Sequence, residues 1–322
     1  MQAIIEVSNL TKRYKRGTTN AVDGISFNVA QGELFALLGP NGAGKTTTIS
    51  ILTTTLAPTS GRAVIAGYDV STQARAVRRQ VGIIFQNPSL DQNLTAEENV
   101  RFHAVLYGLY PFRPTFAAMP APYREEVMSL ANVLSLQDDI FKPIKRFSGG
   151  MKRKLEIIRS LIHKPKVLFL DEPTIGLDPA SRRSLWEHLA QVRAERPTTI
   201  LLTTHYLEEA EQADTICVIN KGKIVAYGTP AQLKSQLTGD SYVYVDSDNR
   251  GQLRSELQSL GYSFEDQGPF RIRLNGHNVQ QVMKALDTPL NYVQTQIPTL
   301  EDAYLAIVDG KDEERLIETD HE

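Results

Sequence analysis

Polar and apolar positions alternate over Ile4-Ile5-Glu6-Val7-Ser8, and Leu10-Thr11-Lys12-Arg13-Tyr14 follows it. A period of two predicts an antiparallel strand with one wet face. Ile25 to Val29, Glu33 to Leu38, Gly61 to Ile65 and Val81 to Phe85 supply further strands. Val167-Leu168-Phe169-Leu170 drops the alternation, and a continuous apolar run predicts a central parallel strand buried on both faces. Thr199 to Thr203 is the next buried strand, and Ile216 to Asn220 with Ile224 to Tyr227 predicts a hairpin turned by Lys221-Gly222-Lys223. Helical spacing covers Thr46 to Leu56, Met151 to Ile162 and Ala180 to Ala194.

The pattern changes from Thr95 to about Lys145, where strand signal fades. Thr95-Ala96-Glu97-Glu98 resembles a capping box, and Val100, Ala104 and Tyr107 keep helical spacing. A proline-broken piece from Pro111 to Pro122 precedes a second helix near Tyr123 to Leu134. These features predict a helical insertion, about residues 87–145, in an α/β domain spanning 1–238. A smaller unit follows at 239–310. Strands at Tyr242 to Val245, Tyr262 to Phe264, Phe270 to Leu274 and Asn291 to Thr295, with helices at Gly251 to Leu260 and Val279 to Leu286, give a β-α-β-β-α-β order. Leu300 to Val308 forms one more helix, and the tail 311–322 is charged.

Composition narrows the class. The 322 residues suit about two domains, and 41 % hydrophobic with 22 % charged residues is ordinary for a chain with a real core. A net charge of −2 argues against a nucleic-acid partner held by a basic face. The one cysteine, Cys217, excludes an intrachain disulfide. No apolar run reaches the roughly 18 residues of a membrane helix, so any membrane involvement needs another chain.

The chemistry starts at Gly39-Pro40-Asn41-Gly42-Ala43-Gly44-Lys45-Thr46-Thr47, a full match to G-x-x-x-x-G-K-[ST] between a strand and a helix. Glycines let successive N–H groups point at phosphate oxygens, and the helix N-terminus adds positive potential. Lys45 supplies a mobile charge for the β and γ phosphates, and Thr46 a hydroxyl for Mg²⁺. Asp171 ends the buried strand, where ligands collect in α/β sheets. A carboxylate there can hold Mg²⁺ opposite Thr46, and Glu172 can polarise an attacking water; adjacent acids at a strand end can also simply cap a helix.

With these residues in order, the chain resembles the nucleotide-binding subunits of ABC transporters over about residues 4–235. Phe147-Ser148-Gly149-Gly150-Met151 is similar to the family's signature loop, Gln86 to the Q-loop glutamine, Ile175-Gly176-Leu177-Asp178 to the D-loop, His205 to the switch histidine, and Tyr14 to the adenine-stacking aromatic. The resemblance implies an ABC-type P-loop NTPase fold with a helical subdomain and an appended ferredoxin-like α+β domain. It assigns Glu172, His205 and Gln86 to catalysis, and Thr46, Gln86 and Asp171 to Mg²⁺. Tyr14, Gly39 through Thr47, Ser148, Gly149, Gly150 and Asp178 would contact ATP, the signature residues reaching it from a second subunit.

Phe147 and Met151 depart from the commoner Leu-Ser-Gly-Gly-Gln form. Aromatic-S-G-G-M forms resemble the ABC-2 export branch, as do Pro173 to Pro179 and Pro298-Thr299-Leu300-Glu301-Asp302-Ala303. The implied function is an ATPase at the cytoplasmic face of the membrane. It would dimerise with itself or a paralogous ATPase and drive separate permease subunits for drugs, lipids or polysaccharides. An ATP-gated dimer with a non-transport or import role is the alternative. The C-terminal unit assists dimerisation or regulation, or only stabilises.

Overall fold

The strand Ala3–Arg13 (β1) is one element rather than two, kinked at Asn9, whose φ of +47° lies in the left-handed region that Asn tolerates. Its register against Asn20–Ala30 (β2) shifts between Val7 and Leu10, so Asn9 marks a bulge. The computed structural model describes residues 3–15, 17–86, 89–195, 198–237, 242–266, 268–274, 278–296 and 299–308. The expected charged tail 311–322, Pro298 and the start of the insertion at 87–88 lie outside the described residues.

From β2 the chain runs through Leu34–Leu38 (β3), the helix Lys45–Leu52 (α1), and the strands Ser60–Ile65 (β4) and Tyr68–Asp69 (β5). The polar stretch before the next strand is a short helix, Ala74–Gln80 (α2), anchored by buried Val77. After Val81–Ile84 (β6) come the helices Ala96–Leu106 (α3), Ala121–Val133 (α4) and Gly149–Leu161 (α5). Thr95 caps α3 with Glu98 in a reciprocal box, as its spacing predicts. Val167–Asp171 (β7), Pro179–Glu195 (α6), Thr199–Thr204 (β8), Leu207–Ala210 (α7), Thr215–Asn220 (β9) and Lys223–Gly228 (β10) complete this part.

Two sheets carry it. One is antiparallel with order β2-β1-β4-β5; the other has six strands in the order β10-β9-β3-β8-β7-β6. The β9-β3-β8-β7-β6 ladder is parallel at every described pairing, and β3 and β7 are buried along their whole length. That two-sided burial is why their sequences are unbroken apolar runs. Lys221 and Gly222, both at positive φ, make the tight turn between β9 and β10.

The chain divides into two compact units, Met1–Tyr227 and Gly228–Glu322, where the sequence places the change near 239. The helix Pro230–Leu237 (α8) accounts for the difference, because it packs against the last helix of the second unit. That unit continues with Tyr242–Asp246 (β11), Arg250–Ser259 (α9), Phe264–Asp266 (β12), Phe270–Arg273 (β13), Val279–Ala285 (α10), Tyr292–Gln296 (β14) and Leu300–Val308 (α11). Its antiparallel sheet has order β12-β13-β11-β14, the ferredoxin-like arrangement. Val243, Val245, Leu253, Leu257, Phe270, Ile272 and Val282 form its core.

Candidate functional site

The carboxyl ends of β3, β7 and β8 deliver the chemistry to one place. A cleft of about 360 Å³ is lined by Asn41, Gly42, Gly44, Lys45, Thr46, Thr47, Gln86, Glu172 and His205, with Ala21 and Ile175. The loop between β3 and α1 needs its glycines for different reasons. A Cβ on Gly39 would lie 2.1 Å from the Ile219 carbonyl oxygen. Gly44 has φ +110°, and a Cβ there would stand 2.4 Å from the Ala21 carbonyl.

Lys45 is 4 % exposed. Its Nζ donates to the carbonyls of Gly39 at 2.8 Å and Pro40 at 3.1 Å, and lies 3.6 Å from Glu172 Oε1. Burial pulls the ammonium below its ordinary range, against the pull of Glu172 and Asp171. Thr46 Oγ1 donates to Asp171 Oδ1 at 3.2 Å, and Thr203 Oγ1 donates to the same oxygen at 2.6 Å. Burial pushes the Asp171 carboxyl up; the two threonine hydroxyls and Lys45 pull it down, and Glu172 adds to the rise.

Glu172 has φ +47°, an uncommon left-handed backbone for a long side chain. Such a conformation costs on the order of 1–3 kcal/mol and persists when its surroundings over-determine it. They do: its N–H is held by the Thr203 carbonyl and hydroxyl, each at 3.1 Å, and its carbonyl by Arg153 at 3.2 Å. The side chain meets Gln86 Nε2 at 3.3 Å through one oxygen and His205 Nδ1 at 3.5 Å through the other. His205 Nδ1 is buried and makes no hydrogen bond of normal geometry among the described residues. The arrangement can therefore set a carboxylate against a ligand in the cleft, with an amide and an imidazole flanking it.

The other expected residues lie elsewhere. Tyr14 is about half exposed at the rim, with its hydroxyl 3.3 Å from Thr47 Oγ1. Ser148 caps α5, its Oγ accepting from Met151 N at 3.2 Å. Neither Ser148, Gly149 nor Gly150 lines the cleft, so this chain does not bring its own signature loop to its own glycine loop. A Cβ on Gly150 would meet Ser181 Oγ at 2.8 Å. Ser181 in turn donates to Asp178, whose carboxylate caps the start of α6 through the N–H groups of Ala180 and Ser181. These bonds hold the Asp178 carboxyl below its usual range.

Three residues escaped the sequence reading. Arg153, in the basic run after the signature glycines, is buried; its guanidinium donates to Pro173 O at 2.7 Å and to Phe85 O at 2.6 Å, besides Glu172 O. Thr203 looks like an ordinary strand residue. Glu209 is buried between the hydroxyls of Thr174 and Thr204, the second at 2.7 Å, and so ties the loop after Glu172 to the strand before His205. Burial pushes its carboxyl up, with those hydroxyls opposing. No motif announces any of the three.

A glycine loop between a parallel strand and a helix, facing an acid at the end of a second strand, defines a P-loop NTPase. Residues 22–175 match the family model described as ABC transporter. The chain is 40 % identical over 266 residues to "Nod factor export ATP-binding protein I" of Ralstonia nicotianae, covering 82 % of this chain and 79 % of that protein. It is 39 % identical over 288 residues to "Daunorubicin/doxorubicin resistance ATP-binding protein DrrA" of Streptomyces peucetius, covering 88 % and 83 %. Among solved structures it is similar to "Dimeric Structure of MJ0796, a Bacterial ABC Transporter Cassette", at 25 % identity and TM-score 0.61, over 70 % of this chain and 98 % of that one. The chain belongs to the ABC transporter family and is an ATP-binding, ATP-hydrolysing subunit of exporter type. Among the described residues no helix is long and apolar enough to cross a membrane.

Proposed function

We propose that two copies of this chain, or one copy and a paralogous ATPase, close head to tail on two ATP molecules and drive the permease subunits of an ABC-2 type exporter from the cytoplasmic face. The observation that carries the reading is the split site. The cleft holds the glycine loop, Glu172, Gln86 and His205, whereas Ser148-Gly149-Gly150 lies outside its lining.

Lys45 and the loop amides from Gly39 to Thr47 bind the β and γ phosphates, and Tyr14 stacks on the adenine. Ser148, Gly149, Gly150 and Asp178 of the second subunit complete the pocket. Glu172 orients the attacking water, and His205 and Gln86 hold Glu172 and sense the γ-phosphate. The residues at the cleft floor fit Mg²⁺: Thr46 and Asp171 offer converging hard oxygens 3.2 Å apart, and Gln86 adds an amide oxygen. A Mg²⁺ held by Thr46, Asp171 and Gln86 would neutralise charge on the phosphates. The helical insertion carries the permease contact near Gln86, and Phe102, Leu106, Tyr107, Leu109, Phe112 and Phe141 are exposed on it. One relative is named for Nod factor export and the other for daunorubicin/doxorubicin resistance, which supports an exported cargo; drug, lipid or polysaccharide is the class proposed.

Purifying the tagged chain from detergent-solubilised membranes and identifying what accompanies it tests the reading. A multispanning permease whose presence stimulates ATP hydrolysis is the expected result. Recovery of a substrate-binding protein with the permease would favour import and overturn it.

A further inference from the structure

The sheet of the second unit has two edges of opposite character. At one, β12 has three residues and carries Glu265 and Asp266. Both are paired, Glu265 with Arg271 at 3.3 Å and Asp266 with Arg250 at 2.6 Å and with Arg254. A short, charged, ion-paired strand is how proteins protect a sheet edge. At the other, β14 reads Tyr292-Val293-Gln294-Thr295-Gln296, with no charge, no proline and no glycine. All five residues are exposed, Val293 at 49 %, and among the described residues the strand pairs on one side only, with β11. Its outer row of N–H and C=O groups is open to another strand.

We propose that β14 is a homotypic edge that pairs antiparallel with β14 of a second copy of this chain, joining two four-stranded sheets into one of eight. The strand is complementary to itself. A two-fold axis at Gln294 sets Tyr292 opposite Gln296 and Val293 opposite Thr295 of the second copy, so no like charges meet and the two Gln294 amides face each other. The same residue types already stand opposite within the sheet, where Tyr242 faces Gln296 and Tyr244 faces Gln294. Tyr244 also donates its hydroxyl to Gln296 Oε1 at 2.7 Å, so the junction continues an existing tyrosine–glutamine ladder across the two copies. A charged peptide would find no countercharge on this strand. One five-residue pairing is weak alone, but a dimer of this family holds a second copy at high local concentration. The strand belongs to the second unit, and the pairing rests on the proposed dimer for the nearness of the second copy, not on the roles given to Lys45, Glu172 or His205.

The test uses the full chain, whose one native cysteine is buried. Gln294→Cys places a thiol on the two-fold axis, opposite its own copy at about 4.5–5.5 Å between Cα atoms. That is within reach of a disulfide. Mild oxidation is expected to link Gln294→Cys into a covalent dimer at least tenfold faster than Glu265→Cys on the guarded edge. Adding Val293→Lys, which puts two ammonium groups at the junction on a half-exposed position, is expected to abolish that advantage while circular dichroism stays unchanged. Equal rates for the two cysteines, a rate indifferent to Val293→Lys, or linkage to a different protein instead of a second copy would each overturn the proposal.

Discussion

Arg153 Nη2 donates to the backbone carbonyl of Glu172 at 3.2 Å, so the helix that begins at the signature glycines holds the strained acid of the cleft from behind. The same guanidinium holds Phe85 O, one residue before Gln86, and Pro173 O, and it is paired with buried Glu156 at 2.9 Å. Lysine cannot reproduce a planar fork serving several carbonyls at once. Arg153→Met leaves Glu156 without its closest cation and several buried carbonyls without donors. It is expected to cost about 3–5 kcal/mol in urea unfolding. Arg153→Lys should retain more stability yet lower ATP turnover at least tenfold, and wild-type turnover in that variant would remove Arg153 from the positioning of Glu172.

Lys45 already sits among acceptors, with Gly39 O, Pro40 O and Glu172 Oε1 around its ammonium. Charge-assisted hydrogen bonds to phosphate are worth roughly 1.5–3 kcal/mol each. Lys45→Ala is therefore expected to weaken ATP binding by about ten- to a hundredfold, read by titration calorimetry. An unchanged affinity would mean that the ammonium does not reach the phosphates.

Glu172→Gln keeps the shape of the side chain and removes its charge. The expected outcome is a loss of steady-state phosphate release of at least a hundredfold, with ATP retained and a dimer trapped on size exclusion. Loss of ATP binding instead would make Glu172 a ligand of the nucleotide rather than the group that orients water.

How far the sequence reached can be read from where its residues lie along the chain. The glycine loop is nine consecutive residues between a strand and a helix, so its geometry is local and its motif carries it. Val167 to Leu170 was legible as a buried strand because four successive apolar residues, bounded by Lys166 and Asp171, are too short a run for a buried helix and suit a strand covered on both faces. Arg153, Thr203 and Glu209 become partners of the site only when β7, β8, α5 and α7 pack together, and no spacing rule connects residues so far apart. The short helices α2, α7 and α8 escaped for another reason: seven, four and eight residues offer few turns for a period to show, and no motif marks them. Equally short α1 and α10 are placed by the glycine loop before the one and the β-α-β-β-α-β order around the other.

Gly150 stands against Ser181, and a Cβ there would approach Ser181 Oγ to 2.8 Å and Ser181 Cβ to 3.0 Å. Gly150→Ala must push the first turn of α6 and with it the Asp178 cap. Turnover is expected to fall several-fold with little change in single-copy ATP binding, because Lys45 and the glycine loop are not in contact with either residue. Ser181→Gly in the same chain opens the space and should restore part of the rate. Failure of the second substitution to restore any activity would locate the defect in the signature loop itself.

His103 packs between Tyr107, with ring centroids 4.4 Å apart, and His163 at 6.2 Å, and its Nε2 is buried with no hydrogen-bond partner among the described residues. Burial, with Arg159 and His163 nearby, pushes its pKa down to about 3. The folded chain thus keeps this ring neutral at a pH where the unfolded chain protonates it, below about 6.5. Between those two values the unfolded state binds more protons, so stability rises with pH and is lost on acidification. The slope from one such group approaches about 1.4 kcal/mol per pH unit. His103→Phe keeps a ring beside Tyr107 and forfeits no hydrogen bond at Nε2. Urea midpoints measured at pH 7.5, 6.0 and 5.0 are expected to fall more steeply for the native chain than for His103→Phe. Burial pushes His163 in the same direction, so part of the slope should survive in the variant. Parallel curves for the two proteins would show that His103 is solvated enough to charge in the folded state.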